Sequence, residues 1–230
     1  LTQRIIGLNS HLNVYSFEQK IYSNDLELLI SNLNENSYLN YFKSIETNGL
    51  LIHNNNSKGV LIKGYDFYDT KHYIFESIVE GNIKKNIKNG IIIGDSLAQK
   101  LNLNLGDKIK IAIPKTDKTI LGNIPRFKTL EIIAIFDLGL YEYDYNLIFL
   151  SSSIARNLLL FEENTYNKIE FFVNNPNKIE KFKNLVNSRI ESSNFNFYTV
   201  SWKDINKTLI SALKVEKNVM FIILSLIILV

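Results

Sequence analysis

Residues 168–202, KIEFFVNNPNKIEKFKNLVNSRIESSNFNFYTVSW, decide the fold. The two ends of this stretch, 168–174 and 196–202, are short runs of apolar and aromatic residues typical of strands. Pro176 suits the first turn of a helix between them, because an N–H group there has no partner to lose. Apolar residues then recur at the spacing of one helix face: Ile179, Phe182, Leu185, Val186 and Ile190. The stretch therefore predicts a strand, a helix and a second strand.

A similar unit lies near the start of the chain. Residues 11–17 show partial strand alternation, and residues 23–33 carry a helical apolar stripe behind a serine or asparagine cap. GLLIH (49–53) and VLIKG (60–64) flank the turn-forming NNNSKG, which predicts a hairpin. The two units can share one sheet with their helices on one face, so the sequence predicts an α+β layer fold.

The long segment between the two units is rich in strand patterns. In KIKIAI isoleucine stands at every second position, so one face of that strand is expected to be wet and the other dry. The strand-like runs are GIIIG (90–94), KIKIAI (108–113), TLEIIAIF (129–136) and NLIFL (146–150). We therefore expect a β-rich lobe, residues 70–161, inserted into an α+β lobe formed by residues 1–69 and 162–212.

The chain ends in an apolar run, VMFIILSLIILV (219–230), which carries no charge. A helix that crosses a bilayer needs about 20 apolar residues, so this run is too short to span one. Ser201 and Asp204 fit the S-x-x-D capping box of a helix start, and nothing after them stops a helix. We expect one continuous helix over residues 202–230, with 213–230 forming the start of a transmembrane helix of a longer membrane protein.

The composition argues against several classes of function. The 26 basic and 23 acidic residues give a net charge of +3, which is too balanced to predict nucleic-acid binding. Cysteine is absent, which excludes disulfides, thiolate catalysis and cysteine-bound zinc. The GxSxG, HExxH and P-loop patterns are also absent from the sequence. We therefore expect no enzyme activity, no cofactor, no metal and no nucleic-acid partner.

The remaining candidates for chemistry are weak. The three histidines, His11, His53 and His72, show no metal-ligand spacing. The cluster YEYD (141–144) could supply an acid–base pair, but a solvated turn is expected, because alternate residues of an extended segment point to opposite faces. Gly106 and Asp107 predict a turn in which glycine takes a positive φ and the aspartate bonds the backbone.

The most unusual segment is PKTDKTILGNIP, residues 114–125, which we call the hook. Strand patterns precede and follow it, so it is expected to be a long hairpin. Its feet and tip are Pro114, Pro125, Ile120, Leu121 and Gly122, and basic residues surround its base: Lys110, Lys115, Arg126 and Lys128. A loop that packs on its own lobe and a docking site for an acidic partner with an apolar lip are both compatible with this pattern.

GIIIGDSLAQKLNLNLGDKIKIAIP (90–114) and GNIPRFKTLEIIAIFDLGLYEYD (122–144) resemble the LolC/LolE family, the permease subunits of the lipoprotein-releasing ABC transporter of Gram-negative bacteria. The shared series is G-D-x-L-A, G-D-K, P, G-x-x-P-R and Y-x-Y-D. Residues 213–230 resemble the beginning of that family's second transmembrane helix. The resemblance implies a MacB-like periplasmic domain, in which a membrane-proximal lobe from both chain ends carries an inserted β-rich lobe.

The resemblance also implies partners and site residues. A cytoplasmic LolD-like subunit would hydrolyse ATP, a second permease subunit would complete the complex in the inner membrane, and the substrate would be a lipoprotein. A soluble, LolA-like periplasmic carrier would dock on the hook, with a basic pad of Lys110, Arg126 and Lys128 as support. LolC-like members carry a proline before the apolar tip residue, where this chain has Thr119 and Ile120. This difference leaves LolC, LolE and a combined form open.

A second hypothesis is a membrane-anchored periplasmic scaffold or sensor of MacB/FtsX-like fold without lipoprotein transport. Three further membrane spans in the full-length protein would favour the permease. A kinase or other signalling domain in their place would favour the sensor.

Overall fold

The structure, a computed structural model, describes residues 10–31, 33, 37–54, 56–67, 72–83, 88–119 and 122–229, with the backbone alone for 114–119, 122–125 and 209. The strands are β1 (Leu12–Ser16), β2 (Ile21–Tyr22), β3 (Asn40–His53), β4 (Asn56–Tyr65), β5 (Ile78–Gly81), β6 (Gly90–Gly94), β7 (Lys108–Thr119), β8 (Gly122–Phe136), β9 (Leu147–Ser151), β10 (Thr165–Tyr166), β11 (Lys168–Phe172) and β12 (Phe197–Ser201). The α-helices are α1 (Ser23–Ser31), α2 (Asp95–Leu101), α3 (Tyr141–Asn146), α4 (Ser152–Leu159), α5 (Ile179–Ser192), α6 (Trp202–Ile205) and α7 (Lys207–Leu229).

Ten strands form one mixed sheet in the order β12-β1-β11-β3-β4-β9-β6-β8-β5, and β7 pairs with both β3 and β8. The pairs β4–β9 and β6–β8 are parallel. The predicted strand–helix–strand unit is confirmed as β11, α5 and β12, with β1 inserted between its two strands. The predicted hairpin is confirmed as β3 and β4, whose antiparallel pairing runs from His53 and Asn56 to Ser44 and Tyr65.

The two chain ends share one apolar core. Helix α5 buries Ile179, Phe182, Val186 and Ile190, which are four of the five residues that the helical spacing selects. These side chains form one cluster with residues of α1, β1 and β11. Burying such a side chain stabilises the fold by roughly 1.5–3 kcal/mol, which holds the helix on one face of the sheet.

The central strands bury two further clusters on opposite faces of the sheet. In β7 the predicted alternation is present, with Ile109 and Ile111 buried and Lys110 between them exposed. The cluster on this side also contains residues of α2 and α4. Consecutive residues of a strand point to opposite faces, and in β9 Ile148 belongs to this cluster while Phe149 belongs to an aromatic cluster on the other side.

The predicted α+β class is confirmed by this arrangement of one mixed sheet and helices. Strands of both predicted lobes belong to the same sheet, and β3 of the first lobe pairs with β7 of the second. The lobe boundaries, residues 1–69 with 162–212 and residues 70–161, stay a prediction.

The turn at Gly106 and Asp107 forms as predicted. Gly106 has φ +85°, a conformation that side-chain-bearing residues rarely adopt. The Asp107 carboxylate accepts a hydrogen bond from the Asn104 backbone N–H at 2.7 Å. This turn feeds directly into β7 and so sets the start of the long hairpin.

The prediction of one continuous helix over residues 202–230 is wrong, because the helix is interrupted at Asn206 between α6 and α7. The Ser201–Asp204 capping box is present as predicted. At Asn206 the backbone leaves helical geometry, with φ −102° and ψ 23°. Its backbone N–H and its side-chain amide both donate to the carbonyl oxygen of Trp202, at 3.1 and 2.8 Å, so this residue caps the end of α6. Within the part of the chain that the structure describes, no helix combines the length and the apolarity needed to cross a membrane.

Candidate functional site

The hook forms the end of a long antiparallel hairpin. Strands β7 and β8 pair from Lys108 and Glu131 outward to Thr119 and Gly122, with a register shift between Ile113 and Thr116. The ladder therefore continues past the prolines at the feet, because the shift takes up the missing donor at Pro114. The two tip residues, Ile120 and Leu121, lie outside the described residues. Only the backbone is described for Pro114, Gly122 and Pro125.

The three residues of the predicted basic pad lie on two different faces of this hairpin. Directly paired residues point to the same side of an antiparallel ladder. Arg126 pairs with Ile113, and Lys128 pairs with Ile111, so both cations share the side of the buried core. Lys110 lies on the opposite side. We call the side of Arg126 and Lys128 the inner face and the side of Lys110 the outer face.

The outer face carries exposed apolar side chains next to the base of the hook. Leu50, Ala112 and Phe127 stand in one row across β3, β7 and β8. The Phe127 side chain is 51% exposed and that of Leu50 is 47% exposed. The Lys110 Nζ atom lies 5.5 Å from the centroid of the Phe127 ring, at cation–π distance. This face therefore combines one cation with an apolar row.

On the inner face, Arg126 and Lys128 line a surface cavity of about 520 Å³ beside the end of α4. The Arg126 Nη1 atom donates to the carbonyl oxygen of Asn157 at 2.7 Å. Asn157 lies in the last turn of α4, where backbone carbonyls have no partner inside the helix. Arg126 thus helps to close a helix end, which is a structural task.

A second polar feature lies on the open face of the sheet. A cleft of about 390 Å³ separates α3 from the start of the C-terminal helices, and its floor carries charged residues of β3, β4 and β11. The Lys168 Nζ atom is 2.7 Å from Glu46 Oε2 and 2.9 Å from Glu170 Oε1. Lys63 Nζ is 3.2 Å from the same Glu170 oxygen. Tyr65 donates its hydroxyl to the other Glu170 oxygen at 2.6 Å.

The charges of this cluster compensate one another. Burial alone would raise the pKa of Glu170, but Lys168 and then Lys63 outweigh it and hold that pKa well below its usual range. Burial alone would lower the pKa of Lys168, but Glu170 and then Glu46 raise it above its usual range. Both groups therefore stay charged at neutral pH, and neither is poised to exchange a proton. The cluster acts as a structural ion network rather than as an acid–base pair.

Sequence reasoning missed the ion network because it joins strands that are far apart in the chain, β3 and β4 on one side and β11 on the other. Lys63, Lys168 and Glu170 lie in runs that otherwise look like buried strands, LIKGY and NKIEFF. A lysine or glutamate inside an apolar strand run is a signal, since such residues are almost never fully buried unless they are paired. The pairing itself depends on strand order, which the local pattern does not contain.

The interpretation of YEYD (141–144) as a solvated turn is wrong. These residues begin α3, and the Asp144 side chain is buried. Its carboxylate accepts backbone hydrogen bonds from Leu138 at 2.8 Å and Leu140 at 3.2 Å, so it caps the loop before the helix. Burial raises the pKa of Asp144. The prediction failed because it assumed extended backbone, whereas helical geometry turns Asp144 inward.

Two of the histidines have structural roles. The Nδ1 atom of His11 accepts a hydrogen bond from the Val173 backbone N–H at 2.8 Å. The Nδ1 atom of His72 accepts one from the Ile74 backbone N–H at 3.3 Å and caps a 3₁₀ helix. Across the described ranges, no three histidine, aspartate or glutamate side chains are grouped so that they could hold a metal ion.

Sequence comparison finds relatives named lipoprotein-releasing system transmembrane protein LolC. The LolC of Buchnera aphidicola subsp. Schizaphis graminum is 31% identical over 157 residues, which is 65% of this chain and 37% of that protein. The LolC of Buchnera aphidicola subsp. Acyrthosiphon pisum is 27% identical over 228 residues, or 97% of this chain and 48% of that protein. The chain thus spans less than half the length of these relatives. No protein-family profile matches it.

Two solved structures share the fold. The extracellular domain of the noncanonic ABC-type transporter YknZ from Gram-positive bacteria aligns with a TM-score of 0.52 at 11% identity, over 84% of this chain and 100% of that one. The periplasmic region of MacB from Actinobacillus actinomycetemcomitans aligns with a TM-score of 0.50 at 14% identity, over 90% and 94%. The predicted MacB-like fold and the predicted resemblance to the LolC/LolE family are therefore confirmed.

Proposed function

We propose that this chain is the periplasmic domain of an ABC transporter permease that releases lipoproteins from the inner membrane and hands them to a periplasmic carrier. The observation that carries the proposal is the similarity to LolC over 97% of the chain. The MacB-like fold agrees with the proposal, since the two solved structures that share it are an extracellular domain and a periplasmic region of transporters. The transport activity would be that of the full-length protein, of which this chain matches a part.

The proposed partners follow from the same resemblance. ATP hydrolysis would take place on a separate LolD-like cytoplasmic subunit, which agrees with the lack of a P-loop sequence here. A second permease subunit, of the same or a different sequence, would complete the membrane complex. The apolar helix α7 would continue into the membrane, and its exposed side chains along Leu213–Leu229 are suited to lipid.

We further propose that the hook receives a LolA-like carrier. The tip residues Ile120 and Leu121 would enter an apolar site on the carrier, and Pro114, Gly122 and Pro125 would shape the hairpin. The residues of the basic pad would have different roles, because they lie on two faces of the hairpin. Lys110 on the outer face would meet an acidic group of the carrier, whereas Arg126 closes the end of α4 and Lys128 lies beside it.

The hook is tested with the variants Ile120→Asp and Leu121→Asp in a pull-down against the purified carrier. A charge at the tip should abolish binding, since burying an unpaired carboxylate in an apolar site costs several kcal/mol. The matched control is Val79→Asp, which places the same charge on an exposed apolar residue of β5. Binding of both hook variants at the native level would show that the carrier docks elsewhere.

A further inference from the structure

One edge of the main sheet is formed by β12. Strand β12 stands last in the sheet order, and no described strand pairs with its outer side. Its sequence, FYTVS, contains no charge and no proline, and its pairing with β1 shows no register shift. The other edge strand, β5, carries a bulge between Ile78 and Glu80 and a charged residue. Natural edge strands are usually blunted by such devices, and β12 lacks them.

The hydrogen bonds of β12 define which backbone groups face outward. The Trp202 N–H donates to the carbonyl of His11 at 3.0 Å, and the Phe17 N–H donates to the carbonyl of Asn196 at 3.1 Å. Even-numbered residues of β12 therefore bond β1, and the backbone groups of odd-numbered residues point outward. These are Phe197, Thr199 and Ser201.

Only a short part of β12, which we call the outward window, has backbone groups available for pairing. The Ser201 N–H already donates to the Asp204 carboxylate at 2.7 Å within the capping box. Phe197 and Thr199 remain, each with one N–H and one C=O group directed away from the sheet. A strand that adds here would gain a few backbone hydrogen bonds, each worth about 1 kcal/mol net.

An aromatic surface lies beside this window. The Tyr198 side chain is 39% exposed and stacks on Tyr15 with ring centroids 5.4 Å apart. Phe17, which is 65% exposed, lies 4.7 Å from the same Tyr198 ring, centroid to centroid. Aromatic and β-branched cross-strand neighbours would add to the pairing. The edge thus presents both a backbone ladder and a side-chain surface.

We propose that the outer edge of β12 binds a short extended peptide segment of another protein as an added strand. The segment would be uncharged at its centre, with a β-branched or aromatic residue beside Tyr198. A second copy of this chain is a poor occupant, because specific dimers bury about 1,600 Å² and a five-residue strand pair covers far less. This proposal does not depend on lipoprotein transport or on the hook.

The proposal is tested with a synthetic peptide of alternating threonine and tyrosine residues and with the same peptide N-methylated at alternate positions. Isothermal titration should show binding of the first peptide and none of the second, because N-methylation removes the ladder donors. The variant Thr199→Pro deletes one outward N–H and should weaken binding about tenfold. The control Thr199→Ala keeps that N–H group and should bind as the native chain does.

Equal binding of the peptide by the native chain and Thr199→Pro would overturn the proposal, as would failure of the native chain to bind at all. Self-association that Thr199→Pro abolishes would also overturn it, in favour of a second copy. Circular dichroism checks that Thr199→Pro is folded. If it is not, amide hydrogen exchange at Phe197 and Thr199 of the native chain decides, and it should slow when the peptide is added.

Discussion

Removal of Lys168 tests whether the buried ion network holds the centre of the sheet together. Lys168→Met keeps the length of the side chain but removes a cation that lies 2.9 Å from Glu170 and 2.7 Å from Glu46. The Glu170 side chain is 1% exposed, so water cannot replace the lost partner. Breaking one side of a buried pair costs about 3–5 kcal/mol. Because Lys63 and Tyr65 still contact Glu170, we expect Lys168→Met to lower the free energy of unfolding by about 3 kcal/mol, the lower end of that range.

The measurement is equilibrium unfolding in urea, with thermal unfolding as a second readout. For a chain of this size, a loss of about 3 kcal/mol corresponds to a drop in Tm of roughly 6–12 °C. The matched control is Lys20→Met, which breaks an exposed ion pair with Glu162 at 3.7 Å. Exposed pairs contribute about 0–1 kcal/mol. If Lys168→Met and Lys20→Met lower the free energy of unfolding equally, the network does not stabilise the fold and this reasoning is refuted.

The contribution of the ion network to stability depends on pH in a definite direction. The folded-state pKa of Glu170 is lowered, so its contribution to stability is present above the ordinary value of 4.5 and is lost as the pH falls. The folded-state pKa of Lys168 is raised, so its contribution is present below the ordinary value of 10.5 and is lost as the pH rises beyond it. The stability difference between the native chain and Lys168→Met should therefore be largest between these values. It should shrink in acid, where a protonated Glu170 no longer needs a cation.

Two further predictions use matched pairs of residues. A Cβ atom on Gly94 would overlap the Asp144 backbone, whereas one on Gly59 would meet open space. In urea unfolding, Gly94→Ala should therefore lower the free energy of unfolding by at least about 2 kcal/mol and Gly59→Ala by less than about 1 kcal/mol. Equal losses would contradict the packing of α3 against β6. Lys110→Glu should weaken carrier pull-down at least about tenfold and Lys128→Glu much less, because Lys110 lies on the outer face and Lys128 lies on the inner face beside α4. A larger effect of Lys128→Glu would place the carrier on the inner face.

The elements that local patterns specify could be predicted from the sequence. The apolar stripe of α5, the alternation of β7 and the Ser201 capping box each depend on residues within a few positions of one another. The same is true of the turn at Gly106. Errors appeared where a side chain acts on the backbone of a neighbouring turn, as Asn206 does at the helix break. Such a bond is one of several that an asparagine can make, so the local sequence does not specify it.

The ion network shows a second limit of sequence reasoning. Lys63, Lys168 and Glu170 come together because β4, β3 and β11 are neighbours in the sheet, and two of these strands are separated by about half the chain. Strand order is a global property that depends on loop closure and on the packing of all helices. A lysine inside an apolar strand run indicates a buried pair, but its partner cannot be identified until that order is known.

The basic pad was predicted from the family resemblance, and strand alternation could have divided it. Arg126 and Lys128 continue the phase of Leu130, which is buried in the core, so both must leave the strand on the core side. Phe127 alternates with them and therefore leaves on the outer side, as Thr129 does. There Phe127 is 51% exposed and lies beside Lys110. A partner that binds the hook from the outer side would cover the Phe127 ring as well as the tip. Under the proposed docking of a carrier on the hook, the row that contains Phe127 would therefore mark the docking side better than the number of nearby cations does.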